Sequence, residues 1–316
     1  MLSRVADSLY WLNRYIERSE NIARIIDANL SFILDTDINK NEQWEPLIWI
    51  TASKDYFFEK YEEASRENVI HFLMFDENYP GSILNALAMA RENAISVREV
   101  INIEMWEQVN KFNMLVKDFS RKRVSIDRTH DFLEEIKKNC HIFFGIQDST
   151  LSRGESWHFG RMGKLIERAD QTSRIIDIKY FHILQSPTYV GSNYDILQWA
   201  AILKSASGYE MYTKKYKTIK SDKILEFLIL DSKFPRSIRY CLNKANESLH
   251  AISETSPDSY KNKPEQSLGA LKSELSYIDI DTIINIGLHE YIDSLQLKLV
   301  NVGQDIYNRF FDISRI

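Results

Sequence analysis

Two segments of the chain carry the same ionic side chains at the same spacing, and their residue types could do chemistry. Residues 16–27 read Ile-Glu-Arg-Ser-Glu-Asn-Ile-Ala-Arg-Ile-Ile-Asp, and residues 166–177 repeat seven of these twelve positions. The shared positions include a Glu-Arg pair, which is Glu17-Arg18 in the first copy and Glu167-Arg168 in the second. Charged residues need no such agreement merely to cover a helix, so we interpret the segments as an internal repeat with a common role.

The candidate site consists of polar side chains on one face of each copy. On a helix of 3.6 residues per turn, residues three and four positions apart lie on the same side. With one further arginine from the middle of the chain, we name these residues the Glu-Arg stripe: Arg14, Glu17, Arg18, Asn21, Arg24, Arg98, Lys164, Glu167, Arg168, Gln171 and Arg174. Arginine binds carboxylates and phosphates through paired N–H groups, so the chemistry that this set predicts is recognition of an anion.

Three interpretations of the Glu-Arg stripe are open at this point. It can be a solvated face on which neighbours in one helix, such as Arg14 and Glu17, interact weakly. It can instead be buried, with Glu17 and Glu167 paired to arginines of the opposite helix, so that the pairs fix the register of the two helices. In the third interpretation the cations bind an anionic peptide-like or phosphate group, and the two glutamates orient them.

The sequence leaves the catalytic residues unassigned. No catalytic triad, nucleotide loop or complete metal set accompanies the stripe, so we expect no cofactor and no metal. The alternative function is an enzyme that uses Glu17 and Glu167 as acid and base on a peptide-like substrate, which requires that burial drive their pKa values apart. Glu-x-x-His patterns at 155–158 and 247–250 match the ligand motif of di-iron helical bundles. The first of them lies at a predicted helix start, which is a poor position for an interior ligand.

Apolar residues recur every three or four positions along most of the chain, which predicts helices. The long predicted helices are 3–35 and 155–184, which carry the two copies, and 83–116, 194–214 and 283–311. Pro235 is predicted to lie in the first turn of a helix that continues to 252.

The predicted fold class is all-α, a large helical bundle containing the two long repeat-related Glu-Arg helices. No segment shows the two-residue alternation of a sheet protein. We expect one helical domain over 1–316, with pseudo-halves of about 1–150 and 151–316. Gly160 and Gly163 inside the second copy predict close contact between helices.

Composition restricts the class of protein. The chain has 316 residues, 44% of them hydrophobic, and a formal net charge of −5. Its basic runs, Arg121-Lys122-Arg123 and Lys214-Lys215-Tyr216-Lys217, are short, so we expect no nucleic-acid partner. No apolar run approaches the roughly twenty residues of a membrane helix, so we expect a cytoplasmic protein without a membrane partner. The two cysteines, Cys140 and Cys241, are predicted to be core thiols.

Several stretches resemble the bacterial alpha-E proteins, an all-helical family named for a Glu-Arg motif. The stretches that carry the resemblance are 1–11 together with Arg14-Tyr15-Ile16-Glu17-Arg18, Pro80-Gly81-Ser82-Ile83, Ala90-Arg91-Glu92-Asn93, Val97-Arg98-Glu99, Leu151-Ser152-Arg153-Gly154-Glu155 and Phe234-Pro235-Arg236-Ser237-Ile238. Two positions depart from the family pattern: Asn13 stands where glycine is usual, and Lys164 where the second copy usually has arginine.

The resemblance implies partners and a process. Members of this family occur beside a circularly permuted ATP-grasp ligase and a transglutaminase-like protein, in a system thought to make or process peptide-like amide bonds. We therefore expect an accessory or binding component of such a system, and not its catalyst.

Overall fold

A computed structural model of the chain contains helices joined by turns and loops over the residues it describes, which are 1–34, 43–121, 126–185, 191–257 and 259–312, without the side chains of 34, 126–127 and 181–185. These residues form fifteen α-helices and two π-helical turns, and no strand. The helices are α1 (Ser3–Leu34), α2 (Glu45–Ile50), α3 (Lys54–Phe58), α4 (Arg66–Phe75), α5 (Ile83–Ser96), α6 (Ile103–Ser120), α7 (Ile126–Thr150), α8 (Glu155–Gln185), α9 (Asn193–Ser205), α10 (Tyr209–Tyr216), α11 (Ser221–Leu225), α12 (Ile238–Ser253), α13 (Lys263–Tyr277), α14 (Ile280–Ile286) and α15 (Leu288–Ile306). The π-helical turns are Glu226–Leu230 and Tyr307–Phe311. The all-α prediction is confirmed.

The two copies of the repeat, α1 and α8, lie side by side and run in the same direction. The amino group of Met1 lies 2.9 Å from a carboxylate oxygen of Glu155, at the start of both helices. Further along, a Cβ added to Gly163 would lie 2.3 Å from the backbone oxygen of Tyr10, and one added to Gly160 would lie 2.6 Å from the side-chain nitrogen of Asn13. The absence of a side chain at these two positions lets the helices approach closely, as the sequence predicted.

Several other helices pack against this central pair. Helices α5, α7 and α9 pack on α1, while α12 and α15 pack on α8. A single apolar cluster runs through both copies and includes Leu12, Ile16, Ile166 and Ala169, all buried. Because α1 is covered on several sides, polar residues such as Asn13, Ser19 and Asn21 are buried along with its apolar ones.

The predicted helix 83–116 is wrong, because the structure divides it into α5 and α6. Neither Gly nor Pro marks the break, which lies at 97–102. Val97 and Ile101 are 1% and 6% exposed, so the turn is stabilised by burial of its own apolar side chains. Asn102 then begins the new helix, because its side-chain oxygen accepts a hydrogen bond from the backbone N–H of Met105 at 2.9 Å.

Three other predicted helices also need correction. The helix predicted at 194–214 divides into α9 and α10, and its break contains Ser207 with a positive φ of 52°. The helix predicted at 283–311 divides into α14 and α15 at Gly287, whose φ of 105° is one that residues with a side chain rarely adopt. Pro235 precedes its helix, because the hydroxyl of Ser237 caps α12 by accepting from the N–H of Tyr240 at 3.1 Å.

Candidate functional site

The two glutamates of the repeated motif, Glu17 and Glu167, are both fully buried at the contact between α1 and α8. An isolated carboxylate in such a place costs several kcal/mol unless cations and hydrogen bonds compensate it. A solvated face is therefore the wrong interpretation of the stripe. The compensation comes across the helix pair, from arginines of the opposite copy.

Glu167 of α8 accepts hydrogen bonds from two arginines of α1. Arg14 donates through Nε at 2.8 Å, with its Nη2 at 2.7 Å from the same oxygen. Arg18 donates through Nε at 2.7 Å and through Nη2 at 3.2 Å, so that it contacts both carboxylate oxygens. Gln171 adds a longer contact of 3.4 Å from one turn further along α8. This carboxylate is fully enclosed by donors.

Glu17 of α1 is held in the reciprocal way by Arg168 of α8. The Nε and Nη2 atoms of Arg168 each lie 2.7 Å from a different oxygen of Glu17, which is the bidentate geometry of an arginine–carboxylate pair. Asn21 donates to Glu17 Oε1 at 3.1 Å and to its backbone oxygen at 2.8 Å. The Arg18–Glu167 and Arg168–Glu17 pairs are thus equivalent by the repeat. The arginine of each copy neutralises the glutamate of the other copy.

A second pair of equivalent contacts lies one turn further along. Arg24 donates to Glu20 at 2.8 Å, and Arg174 donates to Asp170 at 2.9 Å. Arg174 also donates to the backbone oxygen of Ile50 at 2.9 Å, which connects α8 to α2. The predicted stripe did not include Glu20 and Asp170. Both are acidic and occupy equivalent positions of the repeat, so the sequence could have identified them.

Arg236 is the residue that sequence reasoning missed entirely. It lies just before α12, is 7% exposed, and donates to Glu17 at 3.2 Å, to Asn21 at 2.7 Å and to the buried carboxylate of Glu20. No second copy of it exists in the repeat, so the repeat could not reveal it. The only signal was its place in the Phe-Pro-Arg-Ser-Ile stretch.

Arg236 breaks the symmetry of the network at one position. By the repeat, Lys164 corresponds to Arg14 and would contact Glu17, but Arg236 occupies that side of the carboxylate. Lys164 instead places its ammonium 3.7 Å from the centre of the Phe144 ring. No other residue in the described ranges accepts a hydrogen bond or forms an ion pair with it. Burial, reinforced by repulsion from Arg168, lowers the pKa of Lys164 to about 8.

The central carboxylates remain ionised at neutral pH. Burial alone would raise the pKa of Glu167, but Arg18 and Arg14 outweigh burial and lower that pKa to about 2. Burial would also raise the pKa of Glu17, but the nearby cations Arg168 and Arg236 outweigh burial and lower that pKa. An acid–base pair needs one protonated group, and this geometry holds both groups in the charged form.

Arg98 does not join the network. Its side chain is exposed beyond the end of α5 and lies 5.3 Å from the ring centre of Trp106, which it shares with Arg91 at 5.6 Å. The prediction that Arg98 belongs to the stripe is therefore wrong.

Apart from Arg24, the remaining cations of the stripe border two different clefts. Arg14, Arg18 and Arg174 line a cleft of about 340 Å³ together with Asp170 and Trp11. A cleft of about 390 Å³ is lined by Lys164, Arg168 and other residues of α8, and we name it the Lys164 cleft. Its charged residues are Asp148, Arg153, Arg161, Lys164 and Arg168, and its aromatic residues are Phe144, Trp157 and Tyr240. The cations therefore do not converge on one common ligand position.

The two Glu-x-x-His patterns do not form a metal site in the described part of the chain. The glutamate of the first, Glu155, binds the amino terminus, and that of the second, Glu247, lies 2.6 Å from Lys244. Two other groups have ligand-like spacing: one consists of Asp27, His130 and Glu134, and the other of Asp177, His289 and Asp293. In the first group the ammonium of Lys137 already bridges Asp27 and Glu134, which disfavours a metal cation there.

Two further expectations concern partners. None of the helices in the described ranges has both the length and the apolar character that crossing a bilayer requires. Of the basic runs, Lys214 and Lys215 lie on α10, while Lys122 and Arg123 fall outside the described residues.

Comparison with known proteins bears on the Glu-Arg motif directly. Neither the curated proteins nor the solved structures contain a match to this chain. The model of the Alpha-E family, described as a predicted alpha-helical domain with a conserved ER motif, matches residues 1–311. The chain contains two Glu-Arg dipeptides, and both lie at the centre of the buried network. The chain belongs to the Alpha-E family.

Proposed function

We propose that this chain is an accessory binding component of an amide-bond-forming or amide-bond-processing system. Its partners in this proposal are a circularly permuted ATP-grasp ligase and a transglutaminase-like protein, which the family resemblance implies. Its own task is to bind the anionic group, carboxylate or phosphate, of a peptide-like ligand in the Lys164 cleft. The uncompensated ammonium of Lys164 is the observation that carries the proposal.

The charges of the cleft support binding of an anion. Arg153 pairs with Asp148 at 2.9 Å and Arg168 pairs with Glu17, while Arg161 lies 3.6 Å from Glu247. Lys164 has no such carboxylate, so the cleft contains one more positive charge than its pairs neutralise. A bound anion would supply the missing partner, through a charge-assisted hydrogen bond.

The buried network supports the same proposal by fixing the cleft wall. Glu17 holds Arg168 at two atoms, so this guanidinium does not have to be ordered when a ligand binds. Preorganised groups of this kind reduce the entropic cost of binding. These two hydrogen bonds use Nε and Nη2, and in the proposal the third nitrogen, Nη1, donates to a ligand in the cleft.

Isothermal titration with inorganic phosphate and with N-acetylalanine, a peptide-like carboxylate, tests the anion site. A charged hydrogen bond contributes about 1.5–3 kcal/mol, so K164A is expected to weaken binding by about ten- to a hundredfold. K164R keeps the charge and should bind within about threefold of the wild type. The control is K138A, which removes an exposed lysine on α7 that pairs with Glu135. Equal affinities for K164A and K138A would overturn the proposal.

The pH dependence of the same titration provides a second test. Since the pKa of Lys164 is about 8, the wild-type affinity should fall as pH rises through 8, when the ammonium is lost. K164R should show no such fall, because arginine stays charged. Co-purification of the full chain with the ATP-grasp ligase tests the partner, and failure to form a complex would overturn that part.

A further inference from the structure

A further cleft, of about 890 Å³, lies apart from the buried Glu-Arg network. It is bordered by the end of α10, the π-helical turn Glu226–Leu230, the segment 231–235, Arg239 of α12 and residues 278–280. It adjoins the Lys164 cleft only at Pro235, which lines both. Its volume is within the range of clefts that bind small molecules.

The charged residues of this cleft are five cations and three carboxylates. Two cations are neutralised locally, since Lys215 lies 2.7 Å from Asp231 and Lys223 lies 2.7 Å from Glu226. The third carboxylate, that of Asp279, accepts from the backbone N–H of Thr282 at 2.8 Å and so caps α14. The remaining cations are Lys214, Lys233 and Arg239.

These three cations have unused donors. The side chains of Lys214 and Lys233 are exposed, and no described residue forms an ion pair or hydrogen bond with either ammonium. Arg239 donates to the backbone oxygen of Leu230 at 3.4 Å, while its Nε is buried without any partner. A buried donor without a partner is costly, and it is satisfied when a bound acceptor occupies the cleft.

The other wall of the cleft is apolar. Met211 is 53% exposed there, and Pro235 and the isoleucines at 278 and 280 continue this surface. Two aromatic rings behind it are not available to a ligand, because Phe227 and Phe234 are 3% and 8% exposed and stack on each other at 4.4 Å. The third, Tyr216, is half-buried and packs on the ring of Tyr212 at 5.0 Å. The accessible apolar surface is thus mainly aliphatic, which suits a ligand with an alkyl body.

The backbone at this cleft is also unusual. The turn Glu226–Leu230 is π-helical, with the wider hydrogen-bonding pattern that occurs mostly in single turns and frequently at functional sites. It places Glu226, Phe227 and Leu230 on the cleft. Asp231 then ends the turn by accepting from the N–H groups of Lys233 and Phe234 at 2.7 and 2.9 Å.

We propose that this cleft binds an amphiphilic anion. Its aliphatic body lies on the apolar wall, and its carboxylate or phosphate head is bound by Lys214, Lys233 and Arg239. This site is independent of the Lys164 cleft and of the proposed function there.

Isothermal titration with decanoate and decyl phosphate, below their micellar concentrations, tests the site and distinguishes the two head groups. Decanol, which lacks the charge, and AMP, which lacks the alkyl chain, should each bind at least tenfold more weakly than the better of the two anions. The double variant K214Q/K233Q should lose at least tenfold in affinity. The control K111Q removes an exposed lysine on α6 and should stay within twofold of the wild type.

The outcomes separate this proposal from the preceding one. K164A should leave unchanged the part of decyl phosphate binding that K214Q/K233Q removes, whereas K214Q/K233Q should leave N-acetylalanine binding unchanged. Equal binding by K214Q/K233Q and K111Q would overturn the amphiphile site. The amphiphile site would also be overturned if decanol or AMP bound as tightly as decanoate and decyl phosphate do.

Discussion

Replacing Glu167 with glutamine keeps the shape of the side chain and removes one buried charge. Glu167 is fully buried and accepts four contacts of 2.7–3.2 Å from Arg14 and Arg18. Removing one partner of a buried ion pair costs about 3–5 kcal/mol. The fall in the pKa of Glu167 from 4.5 to about 2 corresponds to about 3 kcal/mol. Since the two arginines keep 15% and 24% of their side-chain surface exposed, we expect E167Q to lose about 3 kcal/mol.

Equilibrium unfolding in urea measures this loss, with E247Q as the matched control. Glu247 also contacts cations, Lys244 at 2.6 Å and Arg161 at 3.6 Å, but its side chain is 49% exposed. Exposed pairs contribute about 0–1 kcal/mol, so E247Q should change the free energy of unfolding by less than about 1 kcal/mol. A loss in E167Q as small as that in E247Q would refute the reasoning that burial gives the motif its energetic weight.

Three more predictions follow from the packing and the charges. Because the folded pKa of Glu167 is below its ordinary value, its stabilising effect is present above pH 4.5 and is lost as pH falls toward 2; unfolding monitored by circular dichroism should show a shallower acid dependence in E167Q than in the wild type. G163A forces a Cβ against the backbone of α1 and should cost about 1–3 kcal/mol in thermal or urea unfolding, whereas G145A in α7 meets open space and should stabilise by about 0.5–1 kcal/mol. Burial raises the pKa of both Cys140 and Cys241, so a thiol reagent should leave the native protein unmodified and label both cysteines in denaturant; rapid labelling of the folded chain would contradict their placement.

The sequence predicted the central helix pair because its signals are local. The apolar period of α1 runs without a break from Ser3 to Leu34, and the copy in α8 is marked by the identical ionic residues. Gly163 predicted the close approach because only a residue without a side chain tolerates a backbone oxygen at that distance. The interpretation of Glu17 and Glu167 as reciprocal partners required only that the two copies meet.

What the sequence did not predict depends on contacts between distant residues. The break between α5 and α6 carries no glycine or proline, and burial of Val97 and Ile101 decides it. Arg236 lies 219 residues from Glu17 and belongs to no repeat, so nothing near it in the chain indicates its partner. Arg98 was assigned to the stripe from its charge alone, and its exposure on the outer side of the bundle depends on the packing of α5.

Lys164 connects the buried network to the proposed function. An arginine at position 164 would match Arg14 of the first copy. Arg236 already donates the hydrogen bond to Glu17 that such an arginine would make. The displaced ammonium is therefore available to a ligand. The departure from the repeat at Lys164, which corresponds to Arg14 of the first copy, thus coincides with the place where the symmetry of the network is broken.

A double-mutant cycle between Glu17 and Arg168 tests the central claim most directly, namely that the two copies of the motif stabilise the fold by pairing with each other. The free energies of urea unfolding of the wild type, E17Q, R168M and E17Q/R168M give the coupling energy between the two side chains. The bidentate contact at 2.7 Å between two buried groups predicts a coupling of about 2 kcal/mol or more. A coupling energy near zero, with the two single losses simply adding, would contradict the account.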